Sequence, residues 1–450
     1  MSTRNRMKVI QFVFVLVATA VTGGAQQSSL TELTLDEAIQ TALANNSALK
    51  TAGLEVVRAT DDLAANNTRR FAVTNITALG GQLLTRPSVT FAQGSLGVYP
   101  GVGPLPGTNQ KVEIARKPAG GVLASILQPL SQQYRIHLEL KAQALGLEAT
   151  RQDEEKTRLE VADGVRQAYY AVVQAQSRVD SLEASLPLYR ETKRLAVENL
   201  RKETILESDL LGADAQLLKT ENAVSDAKDQ LANASEKLND LMGRDIHTAF
   251  RVADISTADT GFEIPEALEA AALKNRPDLK KAKLQVQQAD YDARAKKAEY
   301  IPDVSVGLIY GTTSNFQNAL PANIAVVGFQ ATWEPWDWGR KRQEYAAKRV
   351  KEEQAKVAAT HTERSVLLEV RTAWRQVENT RRSLLLTGAT ERAARQRLKE
   401  AQEQLKHEAV LIRTVFFAQS DLASADGGQQ EALAAFWQAR ADLKKAIGEQ

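Results

Sequence analysis

Apolar residues recur every seven positions in two stretches of the chain, and this period predicts long helices that pack as coiled coils. The first seam alternates larger and smaller residues, at Leu210, Ala213, Leu217, Thr220, Val224, Ala227, Leu231, Ala234, Leu238 and Leu241. A shift of 205 positions gives the second seam, at Val415, Ala418, Leu422, Ala425, Gln429, Ala432, Phe436, Ala439, Leu443 and Ala446. Because most heptads carry one large and one small seam residue, antiparallel helices can approach closely. We therefore expect each of these two helices to pack antiparallel against another long helix.

These partners are predicted in the runs 134–202 and 340–406, which have nearly unbroken helical composition. At a rise of 1.5 Å per residue, each run would extend roughly 100 Å. Pro187 interrupts the first run, and we expect the helix to kink there or to end at Leu186, because proline removes a hydrogen bond and clashes with the preceding turn. Turns near residues 203–209 and 408–414 then connect each long helix to its returning partner.

Four stretches without any charged residue, 71–85, 119–134, 304–313 and 323–333, have poor helix character. In the third, Val304, Val306, Leu308 and Tyr310 alternate with small or polar residues, and this period of two predicts β-strands. The strands are long enough to cross a bilayer with a tilt, although a soluble sheet packed on the helices would give the same pattern. An open sheet is not viable in lipid because its edges stay unpaired, so strands that span a membrane require a dimer or trimer to close a barrel.

Aromatic residues lie at the ends of these predicted strands. Phe71 and Tyr300 precede the first and third, and Trp333, Trp336 and Trp338 follow the fourth. Such a cluster is typical of the aromatic girdle of a membrane barrel at one interface. The segment 86–118, rich in glycine and proline, is predicted to be a long surface loop.

The chain contains an internal duplication. A shift of 230 positions aligns residues 42–65 with 272–295 and gives eleven identities, and a shift of 209 aligns Leu159-Glu160-Val161 with Leu368-Glu369-Val370. We therefore predict a first repeat at 26–260, with a hairpin at 71–134, a coiled coil at 135–243 and a linker at 244–260. The second repeat is predicted at 261–450, with a hairpin at 301–338 and a coiled coil at 340–448.

The N-terminus predicts export. Basic residues precede an apolar run at 9–21, and small residues follow, so residues 1–25 are interpreted as a cleaved signal peptide; the run is too short for a membrane anchor. The net charge of +2 argues against nucleic-acid binding, and the chain has no cysteine and only four histidines. Since no catalytic, metal or nucleotide motif is present, we expect neither an enzyme nor a cofactor or metal.

Short motifs at corresponding places in the two halves resemble those of the TolC-like outer membrane efflux protein family. The residues 35–39 with 45–49, and 266–268 with 275–279, resemble the helix openings of that family. Residues 128–130 and 334–340 resemble its junctions between strand and helix. The resemblance covers almost the whole chain after the signal peptide.

The resemblance implies a mainly α fold with membrane β-strands. Long antiparallel coiled-coil helices would form a periplasmic α-helical tube, and four strands per chain would contribute to a trimeric, twelve-stranded outer membrane barrel. It implies a homotrimer that docks on a periplasmic adaptor (membrane fusion protein) and an inner membrane transporter, as the passive exit duct of a tripartite efflux or type I secretion system. The expected location is the outer membrane, extending into the periplasm. The alternative function is a periplasmic coiled-coil scaffold or adaptor without a pore.

The same resemblance implies that the two helix turns form the periplasmic tip, where the duct closes and the adaptor docks. Ser208 and Asp209 match a hydroxyl and aspartate pair in the first turn of the family. Glu203 and Glu408 stand where glycine is common in the family. These four residues are the candidate adaptor contacts.

The second turn departs from the family. Its best-known member has an arginine and two aspartates where this chain has Val410, Thr414 and Phe417, with Arg413 and Phe416 beside them. We hypothesise that these residues form the gate, and that it closes by dewetting of an apolar constriction rather than through a cation-binding acidic ring. The alternative is that Phe416 and Phe417 pack into the coiled-coil seam.

Overall fold

The computed structural model describes residues 32–82, 84–86, 88–113, 118–253, 265–314, 322–407 and 410–449. The predicted signal peptide at 1–25 and residues 254–260 of the predicted linker lie outside these described residues. The helices are α1 Leu35–Asn45, α2 Ser47–Asn67, α3 Gln132–Arg201, α4 Glu207–Leu241, α5 Pro265–Asn275, α6 Pro277–Ala298, α7 Arg340–Lys406 and α8 Ile412–Ile447. The strands are β1 Glu32–Leu33, β2 Val73–Gln82, β3 Ser88–Phe91, β4 Val98–Tyr99, β5 Gly103–Pro104, β6 Gln110–Glu113, β7 Pro118–Pro129, β8 Arg251–Val252, β9 Asp303–Ser314 and β10 Asn323–Thr332. In the described ranges, none of the helices has the length and apolar character needed to cross a membrane.

Two long helix pairs form the body of the molecule, α3 with α4 and α7 with α8. Every predicted seam residue of α4 and α8 is buried or half-buried, and Leu238, Phe436 and Ala439 are almost completely enclosed. Apolar burial along each seam stabilises the pairs by about 25 cal/mol per Å² of area removed from water. The predicted fold class is confirmed by these long antiparallel helices together with the four-stranded sheet of β2, β7, β9 and β10.

The helix α3 continues through Pro187, so the first alternative, a kink there, stays a prediction, and the second, an end at Leu186, is wrong. Side chains immediately after the proline are held by tertiary packing, since Tyr189 is only 4% exposed. Such packing offsets the hydrogen bond that the proline removes from the helix.

The four uncharged stretches form one antiparallel sheet in the order β10-β9-β7-β2. The strand β7 ends at Pro129, so the prediction of a strand up to Tyr134 is too long, and residues 132–134 belong to α3. The polar sequence Ser131-Gln132-Gln133 has no apolar alternation that would extend the strand. Between β2 and β7, the predicted surface loop contains two small ladders, β3 with β6 and β4 with β5.

The duplication is visible where each returning helix meets a junction of two shorter helices. After α4, Gly243 lies against Asn45, and the Asn46 side chain donates a hydrogen bond to the Leu241 carbonyl at 2.9 Å. After α8, Gly448 lies against the corresponding junction of α5 and α6, where Arg276 Nη1 donates to the carbonyl oxygen of Ala446 at 3.4 Å. Both glycines have positive φ, 65° and 76°, which favours glycine.

Two further sets of contacts lie at the level of these junctions. The Tyr169 hydroxyl of α3 donates to the Leu33 carbonyl at 2.9 Å, and β1 pairs in parallel with β8 beside it. Burial raises the pKa of Tyr169 to about 12, so this hydroxyl keeps its proton over the physiological range. Across the repeats, Lys445 of α8 pairs with the buried Asp163 of α3 at 2.9 Å, and this hydrogen bond raises the pKa of Lys445.

Candidate functional site: the sheet and the helical tip

One face of the sheet is mainly apolar in its central part. Strand pairing places Phe329 opposite Val306 and Val327 opposite Leu308. It also places Ile126 opposite Leu308 and Ala124 opposite Ile76. The side chains of Ile76, Val327 and Phe329 are 72%, 78% and 81% exposed, so the single chain leaves this apolar face uncovered. A continuous apolar surface across four strands is what a barrel wall presents to lipid.

The opposite face is mixed in character. It contains the polar residues Asn75, Thr77, Ser125, Ser305 and Gln330 and several glycines, and it also contains the apolar residues Leu79, Leu123, Ile309 and Val326. Small and polar residues suit a water-filled interior, since strands of membrane barrels alternate apolar outward and polar inward residues.

The sheet is open at both sides. Among the strands that the structure describes, β2 pairs only with β7, and β10 pairs only with β9. Each edge strand has ten residues, and the two run in opposite directions, because every neighbouring pair in the order β10-β9-β7-β2 is antiparallel. The free edges are therefore complementary in length and direction, and β10 of one chain can pair with β2 of another.

The predicted girdle residues lie at one end of the sheet, next to the helices. The starts of β2 and β9 and the ends of β7 and β10 all meet there, and they place Phe71, Tyr300 and Trp333 at the same level. Trp336 and Trp338 contact each other edge to face at 5.8 Å between ring centroids, and Trp338 is 90% exposed. The role of these five residues as a girdle stays a prediction.

A set of hydrogen bonds holds this end of the sheet on the helices. The Ser131 hydroxyl donates to the Pro302 carbonyl and accepts from the Val304 amide, both at 2.7 Å. Before α7, the Asp337 carboxylate accepts from the amides of Gly339 and Lys341, at 3.0 and 2.8 Å, and these bonds lower the pKa of Asp337. The Trp338 backbone has φ of 56°, a left-handed conformation that bulky residues rarely adopt.

At the first helix turn, Glu203 occupies a backbone conformation that favours glycine, with φ of 58°. The amide of Glu203 donates to the Leu200 carbonyl at 2.9 Å, and that of Thr204 donates to the Asn199 carbonyl at 3.0 Å. This pattern is a Schellman motif, in which the left-handed position is usually glycine. Glu203, which stands where glycine is common in the family, therefore has a strained backbone at the end of α3.

The other predicted residues of this turn differ in their environment. Asp209 is half-buried, and its Oδ2 accepts from the Leu206 amide at 3.3 Å, so the carboxylate caps the start of α4. Ser208 is exposed. The predicted contact residue Glu408 lies outside the described residues.

At the second turn, the two phenylalanines have different surroundings. Phe416 packs against a cluster with Ala196 and Ala213, so its side chain lies between the two helix pairs. Phe417 is 69% exposed, and Arg413 and Thr414 are also exposed, whereas Val410 is half-buried. Phe416 is thus packed and Phe417 is exposed, and both the gate assignment and its seam alternative stay predictions.

One functional candidate could not be read from the sequence. Between α3, α7 and α8 the structure has a cleft of about 390 Å³ with Gln419 and Gly427 in its wall. A pair of glycines, Gly427-Gly428, inside a heptad stretch was its only sequence signal.

Comparison with known proteins finds a partial family match and several similar folds. Residues 268–449 match the model of the outer membrane efflux protein family. The fold is similar to that of the outer-membrane channel OprN, with a TM-score of 0.76 at 19% identity, covering 92% of this chain and 90% of that one. The CmeC channel of Campylobacter jejuni gives 0.74 at 18% identity, over 92% and 85% of the two chains. The open MtrE channel of Neisseria gonorrhoeae gives 0.72 at 17% identity, over 92% and 89%.

Among curated proteins, an uncharacterised protein of Haemophilus influenzae is 21% identical over 197 residues. The match spans 42% of this chain and 42% of that relative, so less than half of the relative's length is covered. The resemblance to the TolC-like outer membrane efflux protein family, recognised from the sequence, is confirmed by the family match and by the fold. This family and fold are those of channels rather than of enzymes.

Proposed function

We propose that the protein is an outer membrane exit duct of a tripartite efflux or type I secretion system, a passive conduit from the periplasm to the exterior. The observation that carries this proposal is the four-stranded sheet, which has one apolar exposed face and two complementary free edges. The family match of residues 268–449 and the fold similarity support it.

The assembly follows from the need to pair every backbone group in lipid. One chain supplies four strands, and single membrane barrels begin at about eight strands. Identical chains therefore close the wall, and the resemblance to TolC-like proteins favours a homotrimer with twelve strands. The helices α3 and α7 have 70 and 67 residues and are therefore about 100 Å long at 1.5 Å per residue, and they continue the barrel as a tube through the periplasm.

The tip and the repeats complete this proposal. The turns after α3 and α7 form the periplasmic end of the tube. There, a periplasmic adaptor contacts Glu203, Ser208, Asp209 and Glu408, and the adaptor connects the tube to an inner membrane transporter. Residues 26–260 and 261–450 act as two structural repeats behind a signal peptide at 1–25. The aromatic residues at the sheet end mark the inner interface of the outer membrane.

The alternative, a periplasmic scaffold or adaptor without a pore, requires no contact between edge strands of different chains. Because the chain contains no cysteine, introduced cysteines test this contact directly. Thr77→Cys in the middle of β2 is combined in turn with cysteines at 326, 328 and 330 of β10, in order to allow for the stagger of the barrel. The duct proposal expects cross-linked species in outer membranes that stop at the trimer and that a reductant reverses.

A matched control uses Ser125→Cys in the central strand β7 with Gly328→Cys, which should form no bond between chains because β7 already pairs on both sides. If no β2 and β10 pair forms cross-links and the protein is released as a soluble monomer, the proposal is wrong. If the largest cross-linked species is a dimer, the assembly is a dimer with an eight-stranded barrel rather than a trimer.

A further inference from the structure

The long helices form one layer with two free edges. Along the coiled coils, α4 packs on α3, α3 packs on α8, and α8 packs on α7. The order of these helices is therefore α4-α3-α8-α7. Within the described residues, α4 has no second neighbour of this kind, and the later half of α7 is uncovered on the side away from α8, where Leu386 is 68% exposed.

Charge is segregated onto the two edge helices. The helix α7 has 17 basic and 9 acidic residues, whereas α4 has 3 basic and 8 acidic residues. The inner helices are balanced, with 11 residues of each sign in α3 and 4 of each sign in α8. A single chain thus ends in a basic edge on one side and an acidic edge on the other.

The internal duplication indicates what covers the edge of α7. The shift of 209 positions carries α3 onto α7, so Leu159 corresponds to Leu368 and Arg166 corresponds to Arg375. On α3, these side chains are buried within the chain, since Leu159 is 9% exposed and Arg166 is 5% exposed. On α7, Leu368 is 63% exposed and Arg375 is also exposed. The side of α7 that corresponds to the covered side of α3 therefore lacks its cover in a single chain.

The contact between α3 and α8 predicts how this cover would lie. Val173 of α3 and Ala434 of α8 line the same small cleft, so they face each other. The shifts of 209 and 205 positions carry Val173 onto Arg382 and Ala434 onto Asp229. An α4 helix that packed on α7 as α8 packs on α3 would therefore bring Asp229 next to Arg382.

A second contact between α3 and α8 gives the same antiparallel register. Lys445 pairs with Asp163 at 2.9 Å, and the same two shifts carry this pair onto Asp240 and Thr372. Arg375, one turn further along α7, then lies beside the acidic end of α4.

The charged groups of both edges are available for this contact. Arg382, Asp229 and Glu236 are exposed and form no ion pair within the described residues. Exposed ion pairs contribute little stability, so these charges determine which edges meet, and apolar residues such as Leu218 and Leu386 add buried area. Two α7 edges or two α4 edges would repel each other, so unlike edges are favoured.

We propose that the basic edge of α7 binds the acidic edge of α4 in a second copy of this chain, with Arg382 of one copy against Asp229 of the other. This contact rests on the proposed function for its oligomer, and it adds the joint between the helix pairs of neighbouring copies. Because it joins unlike edges, it repeats from copy to copy and leaves no free edge once the ring closes.

Disulfides test this contact directly, because the chain has no cysteine. Arg382→Cys is combined in turn with cysteines at 225, 229 and 232 of α4, which extends the search by about one helical turn to either side. A disulfide requires Cα atoms about 4–7 Å apart, so only a close contact gives a bond. We expect oxidation of the purified full-length oligomer in detergent to link different chains for at least one of these pairs.

Arg392 provides the matched control. It is an exposed arginine of the same helix, and it corresponds to Glu183, which pairs with Lys228 inside the first helix pair. Its side of α7 is therefore not expected to face a second copy. Arg392→Cys should link no chains in combination with any of the three α4 positions.

A second arm tests the charges through subunit exchange between two differently tagged oligomers. Arg382→Glu and Asp229→Arg each place like charges together, so each should accelerate exchange by about tenfold or more. The double variant restores an attractive pair and should exchange within about threefold of the wild-type rate. Arg392→Glu should exchange at the wild-type rate, and circular dichroism verifies that each variant keeps its helix content.

A monomeric wild type would overturn the proposal, as would an oligomer in which none of the three pairs links chains. Unchanged exchange in both single charge reversals would also overturn it, and so would equal acceleration by Arg382→Glu and Arg392→Glu or a double variant as fast as the single ones. If the β2 and β10 cysteines link chains and these cysteines do not, the helix contact is wrong and the duct proposal stands. Links here without any at the sheet would support the helix contact and count against the duct.

Discussion

Gly243 provides a quantitative test of how the repeat junctions hold the returning helices. In Gly243→Ala, the new methyl carbon would lie 2.9 Å from the Asn45 carbonyl oxygen and 3.0 Å from its carbonyl carbon. These are backbone atoms, so the α1 and α2 junction must shift. The positive φ of 65° costs about 1–2 kcal/mol for a residue with a Cβ, and the overpacking costs about 1–3 kcal/mol. We therefore expect a loss of about 2–5 kcal/mol in the local free energy of opening.

Hydrogen exchange measured by mass spectrometry reports this loss on peptides that cover residues 40–50 and 240–246. Because 1.4 kcal/mol is a factor of ten, exchange should accelerate roughly thirtyfold to several-thousandfold. The corresponding change at Gly448 should have a smaller effect, since its nearest backbone atom is 3.2 Å away.

The matched control is Gly212→Ala, on the exposed face of the same helix α4. No atom lies within 4 Å of its Cβ position, so alanine should stabilise the helix by about 1 kcal/mol. The reasoning is refuted if the junction peptides of Gly243→Ala exchange at the same rate as those of the wild type. It is also refuted if Gly212→Ala accelerates their exchange equally.

Three further predictions concern the tip and the helix contacts. Glu203→Gly should slow hydrogen exchange at residues 198–206, because relief of the left-handed strain is worth about 1 kcal/mol; faster exchange would contradict the assignment. Burial raises the pKa of Asp442, so its charged form is destabilising in the fold, and Asp442→Asn should raise the Tm at pH 7. This gain should vanish as the pH falls below 3.8, where the carboxyl is protonated in both states, and a pH-independent gain would exclude the charge as its cause. Single-channel recordings should show higher conductance for Phe417→Ala and added cation selectivity for Phe417→Asp, and unchanged values in both would eliminate Phe417 from the gate.

Periodic features of the chain were predictable because each depends on residues close in sequence. The helix α7, Arg340–Lys406, has the predicted bounds, and the seam residues of α4 and α8 are enclosed as expected. Strand ends were less certain, since Gln132 carries no signal that separates an extended strand from the first turn of a helix. The continuity of α3 through Pro187 depends on tertiary packing of Tyr189, which local propensity does not contain.

The sites that escaped prediction combine residues far apart in sequence. Gln419 and Thr192 are 227 positions apart, and only the fold brings them into contact. The different surroundings of Phe416 and Phe417 likewise depend on how two helix pairs lie together, although the two residues are adjacent.

The two helix turns are unlike each other, with a strained glutamate in one and an exposed phenylalanine in the other. A docking protein that covered every turn around the tube would thus meet two kinds of surface in alternation. Identical copies of that docking protein would have to adopt two distinct poses at the proposed tip.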